Sequence, residues 1–170
     1  MEVTDAIHQR RSIRAYTNQP LPKDVITNLI TLAHLAPSAG NLQARDFIVV
    51  DDTAIKERLA AAAYNQMFLT QAPVIIVVCA NSQRIANYGA RGTSLYMIQD
   101  VAAAVEHILL LAVDKGFGAC WVGAFDQKKV CAVLNLPSHV IPQAMIPIGV
   151  PAEPGNPHQR HRLQLHWNEW

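Results

Sequence analysis

Arg10-Arg11-Ser12-Ile13-Arg14 places three guanidiniums and a hydroxyl within five residues, and Pro37-Ser38-Ala39-Gly40-Asn41-Leu42-Gln43 adds small side chains and two carboxamides. The planar Arg fork pairs bidentately with an oxyanion and keeps its charge at physiological pH, so the first segment suits a phosphate. Gly40 lets the main chain approach a ligand closely, and Asn41 and Gln43 each carry donor and acceptor, as a heterocycle with mixed ring edges requires. Read locally, a solvated basic turn followed by a helix C-cap weighs about equally. Further along stand a Gly-flanked Trp121-Val122-Gly123 turn and the pair Arg160-x-Arg162.

No common catalytic template accompanies these segments. The chain has no Gly-x-Gly-x-x-Gly after its first strand, no Walker loop, no Gly-x-Ser-x-Gly elbow and no His-Glu-x-x-His. His158, His161 and His166 crowd the tail without the spacing or interleaved carboxylates and thiols of a usual metal site, so no metal is expected. His107 stands among apolar residues and suits the core or an interface rather than a base. Asp100 and Glu106 fall on roughly opposite faces of a helix and form no carboxylate pair. Cys79, Cys120 and Cys131 read as buried packing residues; Cys120 is the one candidate for a redox-active thiol, with nothing like Cys-x-x-Cys beside it. A chain without nucleophile, metal or acid–base pair often borrows its reactivity from a cofactor. A phosphate tail joined to polar ring edges describes flavin mononucleotide, FMN.

With 170 residues, 51% of them hydrophobic and 16% charged, the chain is sized for a single domain spanning 1–170 with an ample core. The net charge of +1 gives no broad basic field, so the Arg cluster points to a small-molecule phosphate and not to nucleic acid. So few charges leave apolar surface for a second copy to cover, and an oligomer is expected. Neither a positively flanked apolar leader nor an uninterrupted apolar run of about 18–20 residues is seen, so a cytoplasmic location without membrane contact is expected.

A short helix over 4–9, capped by Thr4 or Asp5, delivers the Arg cluster. A second begins at Pro22 and carries Val25, Ile26, Leu29, Ile30, Leu32, Ala33 and Ala36 at helical period until Pro37 stops it. Residues 47–50 read as a buried strand, 53–63 as an Ala-rich helix, and the unbroken apolar run 74–79 as a strand buried on both faces. Residues 81–92 lack periodicity and read as a loop or partly formed helix, the kind of segment that often forms a lid. The helix over 94–115 is apolar around much of its circumference, which places it in the middle of a fold or a dimer. Residues 119–123 form a short strand or turn, Asp126 caps a helix through Leu134, and 144–150 is a last strand with Pro147 at an edge or bulge. The tail over 151–170 has no core pattern of its own and suits wrapping onto a partner or ligand. Helices and strands mix without strict alternation, which favours a layered α+β sandwich over a doubly wound sheet.

Six segments, in order along nearly the whole chain, resemble the nitroreductase family. They are Arg-Arg-Ser-Ile-Arg at 10–14; Ala-Pro-Ser-Ala-Gly-Asn-Leu-Gln at 36–43 before Phe-Ile-Val-Val; and Ala-Pro-Val-Ile-Ile-Val-Val at 72–78. Gln-Asp-Val-Ala-Ala-Ala-Val-Glu at 99–106 ahead of Gly-Phe-Gly-Ala-Cys-Trp-Val-Gly at 116–123, Ile-Pro-Ile-Gly-Val-Pro at 146–151 and the closing His-Trp-Asn-Glu-Trp complete the set. The resemblance implies an α+β, nitroreductase-like layered sandwich, a central mixed β-sheet flanked by helices, in an intertwined homodimer with two FMN molecules at its interface. It implies that Arg10, Ser12 and Arg14, with Arg11 assisting, hold the phosphate, ribityl chain and pyrimidine edge. Pro37, Ser38, Ala39, Gly40, Asn41 and Gln43 would reach the isoalloxazine from the partner subunit. Val122 and Gly123 would lie beside the redox centre, where a main-chain N–H donates to N5, and Arg160 or Arg162 would return to the phosphate.

The implied activity is that of an FMN-dependent oxidoreductase. NAD(P)H passes hydride to flavin N5 and leaves, and a nitroaromatic, quinone or similar acceptor is reduced in its place, a ping-pong scheme. Arg14, with Gly123 nearest the redox ring, would stabilise the reduced anionic flavin near N1 and O2, and no side chain need serve as catalytic acid or base. The alternative is a flavin-binding dimer without nicotinamide turnover, for flavin storage, sensing or consumption; a structural dimer with an emptied site is a third. The chain departs from the family pattern at Ala44-Arg45-Asp46, where Pro-Trp or Pro-Tyr is common, in the short 81–92 segment, and in a tail lacking several residues between Arg162 and His166.

Overall fold

The structure, a computed structural model, describes residues 1–157 and 159–170; His158 of the tail histidines lies outside them. Strands β1 (Arg45–Val50), β2 (Val74–Asn81), β3 (Gly118–Ala119) and β4 (Val140–Gly149) form one sheet in the order β1-β2-β4-β3. Every pairing between them is antiparallel. The central sheet is thus antiparallel where the resemblance implied a mixed one, and the parallel pairing of Ser12 with Ala119 is an isolated bridge at its rim.

The helices are α1 (Val3–Gln9), α2 (Lys23–His34), α3 (Thr53–Ala62), α4 (Phe68–Gln71), α5 (Gly89–Arg91), α6 (Met97–Asp114) and α7 (Gln127–Leu134). β2 dictates where they go. All of its residues are buried, so it needs cover on both faces of the pleat. Val74, Ile76, Val78 and Ala80 pack in one cluster with Ile26 and Leu29 of α2 and Val101, Val105 and Ile108 of α6. Ile75, Val77 and Cys79 pack in a second with Leu59, Leu69 and Val130 from α3, α4 and α7. The result is a helix–sheet–helix sandwich with α1 against α6.

Local chemistry sets several ends. Asp52 starts α3 by accepting the Ile55 N–H at 2.8 Å, and Asp126 starts α7 by accepting the Lys129 N–H at 3.1 Å. α1 opens behind Glu2, which makes no side-chain cap bond, so neither Thr4 nor Asp5 serves as its cap. β1 is longer than the expected 47–50 and lies at the sheet edge, with Val49 46% exposed, because only β2 pairs with it. The helical stretch Ala86–Asp114 is long and apolar enough to cross a membrane by length and composition; its α6 part is the core helix, with Ala104, Val105, Ile108 and Ala112 fully buried.

Pro147 lies inside β4, opposite Ile75, not at an edge. Its carbonyl faces the Tyr16 hydroxyl, so its nitrogen faces the same side, one residue past the last β3 pair, Ala119–Ile148. No ladder bond is lost by the missing N–H there.

Burial pushes the Cys79 thiol up to about 12 from 9.0, with Asp46 and Cys131 adding to the effect. A native pKa above the unfolded one means stability fully present below the unfolded pKa and lost as pH rises through the native one. Urea unfolding is therefore expected to show stability falling between about pH 9 and about pH 12. Cys79→Val is expected to flatten that decline; an unchanged slope would show that Cys79 does not cause it.

Candidate functional site

The cationic segment is stitched to the sheet rim. At Arg10 the chain leaves α1 in an extended conformation, φ −55° and ψ 126°. The Ile13 N–H donates to the Ala119 carbonyl at 3.0 Å, Thr17 to Val150 at 2.9 Å, and Ala152 returns a bond to Ala15 at 3.0 Å. An extended chain alternates its side chains, and that sorts the cluster. Arg11 and Ile13 take the side facing Gly155. Ile13 also presses on Gly118, where an added Cβ would stand 2.7 Å from three of its carbons. The Arg11 guanidinium donates to the carbonyls of His8 and Arg10 at 2.7 and 2.8 Å, so it reinforces the turn out of α1.

Arg10, Ser12 and Arg14 take the other side, against Cys120. Burial pushes that thiol up, and Arg14, then Ser12 and Arg10, draw it back. The Arg14 guanidinium lies 5.9 Å over the Phe68 ring. The Tyr16 hydroxyl secures the end of the segment by donating to the Ile13 carbonyl at 2.6 Å, with the Pro147 carbonyl 3.2 Å away.

A cavity of about 390 Å³ opens at the end of α1, lined by Ile7, His8, Arg10, Arg11, Ser12, Pro157 and Arg160. Guanidiniums and a hydroxyl dominate its polar lining, with no carboxylate among them, so the chemistry is that of an anion site. Of the two late arginines, Arg160 lines it and Arg162 does not.

The second segment is a tight loop. Ala39–Asn41 makes a single 3-10 turn, and Gly40, Asn41 and Gln43 are all left-handed, with φ of 55°, 55° and 44°. Gln43 donates to the Ser38 hydroxyl from its N–H at 3.0 Å and from Nε2 at 3.1 Å, and Nε2 also meets Asn41 Oδ1. From α6, Asp100 accepts the N–H groups of Ala39 at 2.9 Å and Ala44 at 3.2 Å. Arg45, 1% exposed, donates to the carbonyls of His34, Ala36 and Pro37, at 2.8, 2.6 and 3.2 Å, and to that of Asp100 at 2.9 Å. Burial lowers the pKa of Arg45 and Asp100 raises it.

The 81–92 segment folds onto this loop as a brace rather than forming a lid. Arg84 donates to the carbonyls of Gln43 and Arg45 at 3.1 and 2.8 Å and to the Asp46 carboxylate at 2.6 Å. The left-handed φ favours glycine at position 40, and a Cβ there would also have to push aside the half-exposed Tyr88 ring, whose hydroxyl lies against it.

At the third segment, Val122 and Met145 exchange both main-chain bonds, at 3.0 and 2.9 Å. The Val122 N–H is thus already spent. The Gly123 N–H has no acceptor among the described residues, and an added Cβ there would meet only Trp121 Nε1, at 3.8 Å.

The cationic segment and the loop do not meet within one chain. Arg11 and Ile13 share a cavity wall with Val113, Gly116 and Phe117, at the end of α6, whereas the loop is fastened to Asp100, in its first turn. From Asp100 to Asp114 the helix rises about 21 Å.

Sequence reasoning missed Asp100, Arg45 and Arg84. Asp100 continues the buried face of Met97, Ala104 and Ile108, and a carboxylate on a core face demands partners, which is the signal that identifies it.

The model of the nitroreductase family matches residues 7–69 and 60–150. The NADH dehydrogenase of Thermus thermophilus is 32% identical over 193 residues, covering 97% of this chain and 93% of that protein. The FMN reductase (NADPH) of Bacillus subtilis is 30% identical over 162 residues, covering 87% of this chain and 65% of that one. Among solved structures, the nitroreductase NfrA1 of B. subtilis superposes with a TM-score of 0.87 at 27% identity, over 94% of this chain and 70% of its own. With the family model spanning all four strands and both the 10–14 and 37–43 segments, the chain belongs to the nitroreductase family and is an NAD(P)H-dependent oxidoreductase.

Proposed function

We propose that this single domain, 1–170, binds FMN and, as a homodimer, passes electrons from NAD(P)H to a nitroaromatic, quinone or similar acceptor. The observation that carries the reading is the pairing of a carboxylate-free cationic cavity at Arg10, Ser12 and Arg160 with a carboxamide loop at the far end of α6. The donor set fits the cofactor: guanidiniums and a hydroxyl for a dianionic phosphate, carboxamides for a heterocycle edge. A ligand touching both segments needs a second copy of the chain, which supports a shared site. The name of the B. subtilis relative, FMN reductase, supports the flavin.

Bound FMN supplies a ring that takes up two electrons from a nicotinamide and releases them to an acceptor. Arg10, Ser12 and Arg160 bind the phosphate by charge-assisted bonds, and Arg11 stiffens the turn that presents them. Arg14 would supply a permanent positive charge to offset the negative charge that a bound flavin ring takes on when reduced. Gly123 offers a main-chain donor. Ser38, Ala39, Gly40, Asn41 and Gln43 of a second copy, led in by Pro37, would cover the ring and exclude water. No side chain is required to hold or move a proton.

Arg10→Ala is expected to weaken FMN binding about tenfold to a hundredfold, from loss of a charge-assisted contact worth about 1.5–3 kcal/mol. Flavin titration followed by fluorescence quenching measures it, and wild-type affinity in the variant would end the phosphate assignment. Anaerobic bleaching of the flavin absorbance by NADH or NADPH is expected in wild type; its absence at high nicotinamide concentration would favour flavin binding without turnover. Light scattering is expected to give the dimer mass, and a flavin-loaded monomer would contradict the shared site.

A further inference from the structure

The 37–44 loop is the least relaxed main chain of the site. Asn41 and Gln43 are left-handed without being glycine, a conformation that disfavours L side chains. A ligand meeting such a loop unformed would have to drive its ordering. The fold instead sets the loop from behind. Asp100 uses one carboxylate oxygen on each side of the strained residues, Oδ1 for the Ala39 N–H and Oδ2 for the Ala44 N–H. Its own main-chain carbonyl accepts from Arg45, whose guanidinium also holds the carbonyls of His34, Ala36 and Pro37, where the chain leaves α2. Entry and exit of the loop are therefore tied to one residue in the first turn of the central helix. Asp100 is 3% exposed, so it acts through the loop and not on a ligand.

We propose that Asp100 is a positioning residue which, with Arg45, holds the 37–44 loop in its ligand-ready shape before any cofactor arrives. This rests on the FMN reading only for the identity of the ligand. The loop presents a formed surface to the flavin held by the other copy, and cofactor binding does not wait on loop ordering. Ala44 matters to this arrangement because a proline there would have no N–H for Asp100.

The test is Asp100→Asn in the full chain, an isosteric change that keeps one acceptor oxygen and turns the other position into a donor facing an N–H. Hydrogen exchange of the flavin-free protein is expected to quicken at least tenfold at Ala39 and Ala44, while β2 amides stay as slow as in wild type. FMN affinity is expected to fall about tenfold, with most of the loss in the association rate, because the binding-competent fraction has dropped. Arg45→Lys, which keeps the charge but not the planar fork, is expected to act in the same direction and serves if Asp100→Asn does not fold. Unchanged exchange at Ala39 and Ala44, or quickened exchange with unchanged FMN association, would overturn the proposal. Exchange quickened equally in β2 would also overturn it, as general destabilisation. A wild-type chain that takes up no FMN would end the flavin reading alone, and the exchange comparison would then decide whether Asp100 holds the loop.

Discussion

Arg45→Ala is expected to lower stability by about 3–5 kcal/mol, the range for removing one member of a buried charged network. For a chain of 170 residues that corresponds to a fall in the thermal midpoint of about 10 °C. The loss comes from what is left behind. Four carbonyls, those of His34, Ala36, Pro37 and Asp100, lose a donor at once, and the carboxylate of Asp100 loses its nearby positive charge. The cost of burying the guanidinium offsets part of this in the wild type, and its Nε has no partner among the described residues. Arg45→Met separates the contributions, since it restores apolar volume without donors. Thermal and urea unfolding of both variants are expected to show methionine recovering little; wild-type stability in Arg45→Met would mean that the four bonds contribute nothing net.

The second large effect is expected at the directly paired glycines Gly118 and Gly149. Each has the rigid part of a neighbour where its Cβ would stand. Gly118 meets three Ile13 carbons at 2.7 Å; Gly149 meets Pro73 Cδ at 2.6 Å and Tyr16 Cδ1 at 3.1 Å. Neither Ile13 nor Tyr16 can yield without moving the segment that presents Ser12 and Arg14. Alanine at either site is expected to cost about 1–3 kcal/mol by overpacking. The double variant is expected to depart from additivity, because both changes push on the same short stretch. Urea unfolding gives the energies. Ile13→Ala in the Gly118→Ala background is expected to recover part of the loss; no recovery would mean that Ile13 is not the obstacle.

Much of this architecture follows from patterns of hydrophobicity. The unbroken apolar run of β2 required two covering layers, and the broad apolar face of α6 required the centre of one of them. Asp126 and Asp52 announce helix starts because their side chains act locally. The parts that resisted sequence reading depend on contacts between distant residues. Ala39 and Asp100 are 61 residues apart, and Arg84 bonds to carbonyls 41 and 39 residues away. No local periodicity encodes such pairs. The unpatterned 81–92 stretch looked like a lid because its partners lie across the sheet edge and not within it. Pro147 suggested an edge because a single sequence does not reveal where the neighbouring strand stops.

The alternation along 10–14 has a consequence for how this region can change. Ile13 and the stem of Arg11 belong to the side against Gly155, Arg10, Ser12 and Arg14 to the side against Cys120, and the Ser12–Ala119 bridge fixes which is which. Exchanging one side chain alters one contact. Inserting or deleting a single residue between Arg10 and the bridge would instead exchange the two faces wholesale, driving guanidiniums against Gly118 and Gly155 and turning the isoleucine outward. Length, more than composition, is the constrained quantity in this stretch.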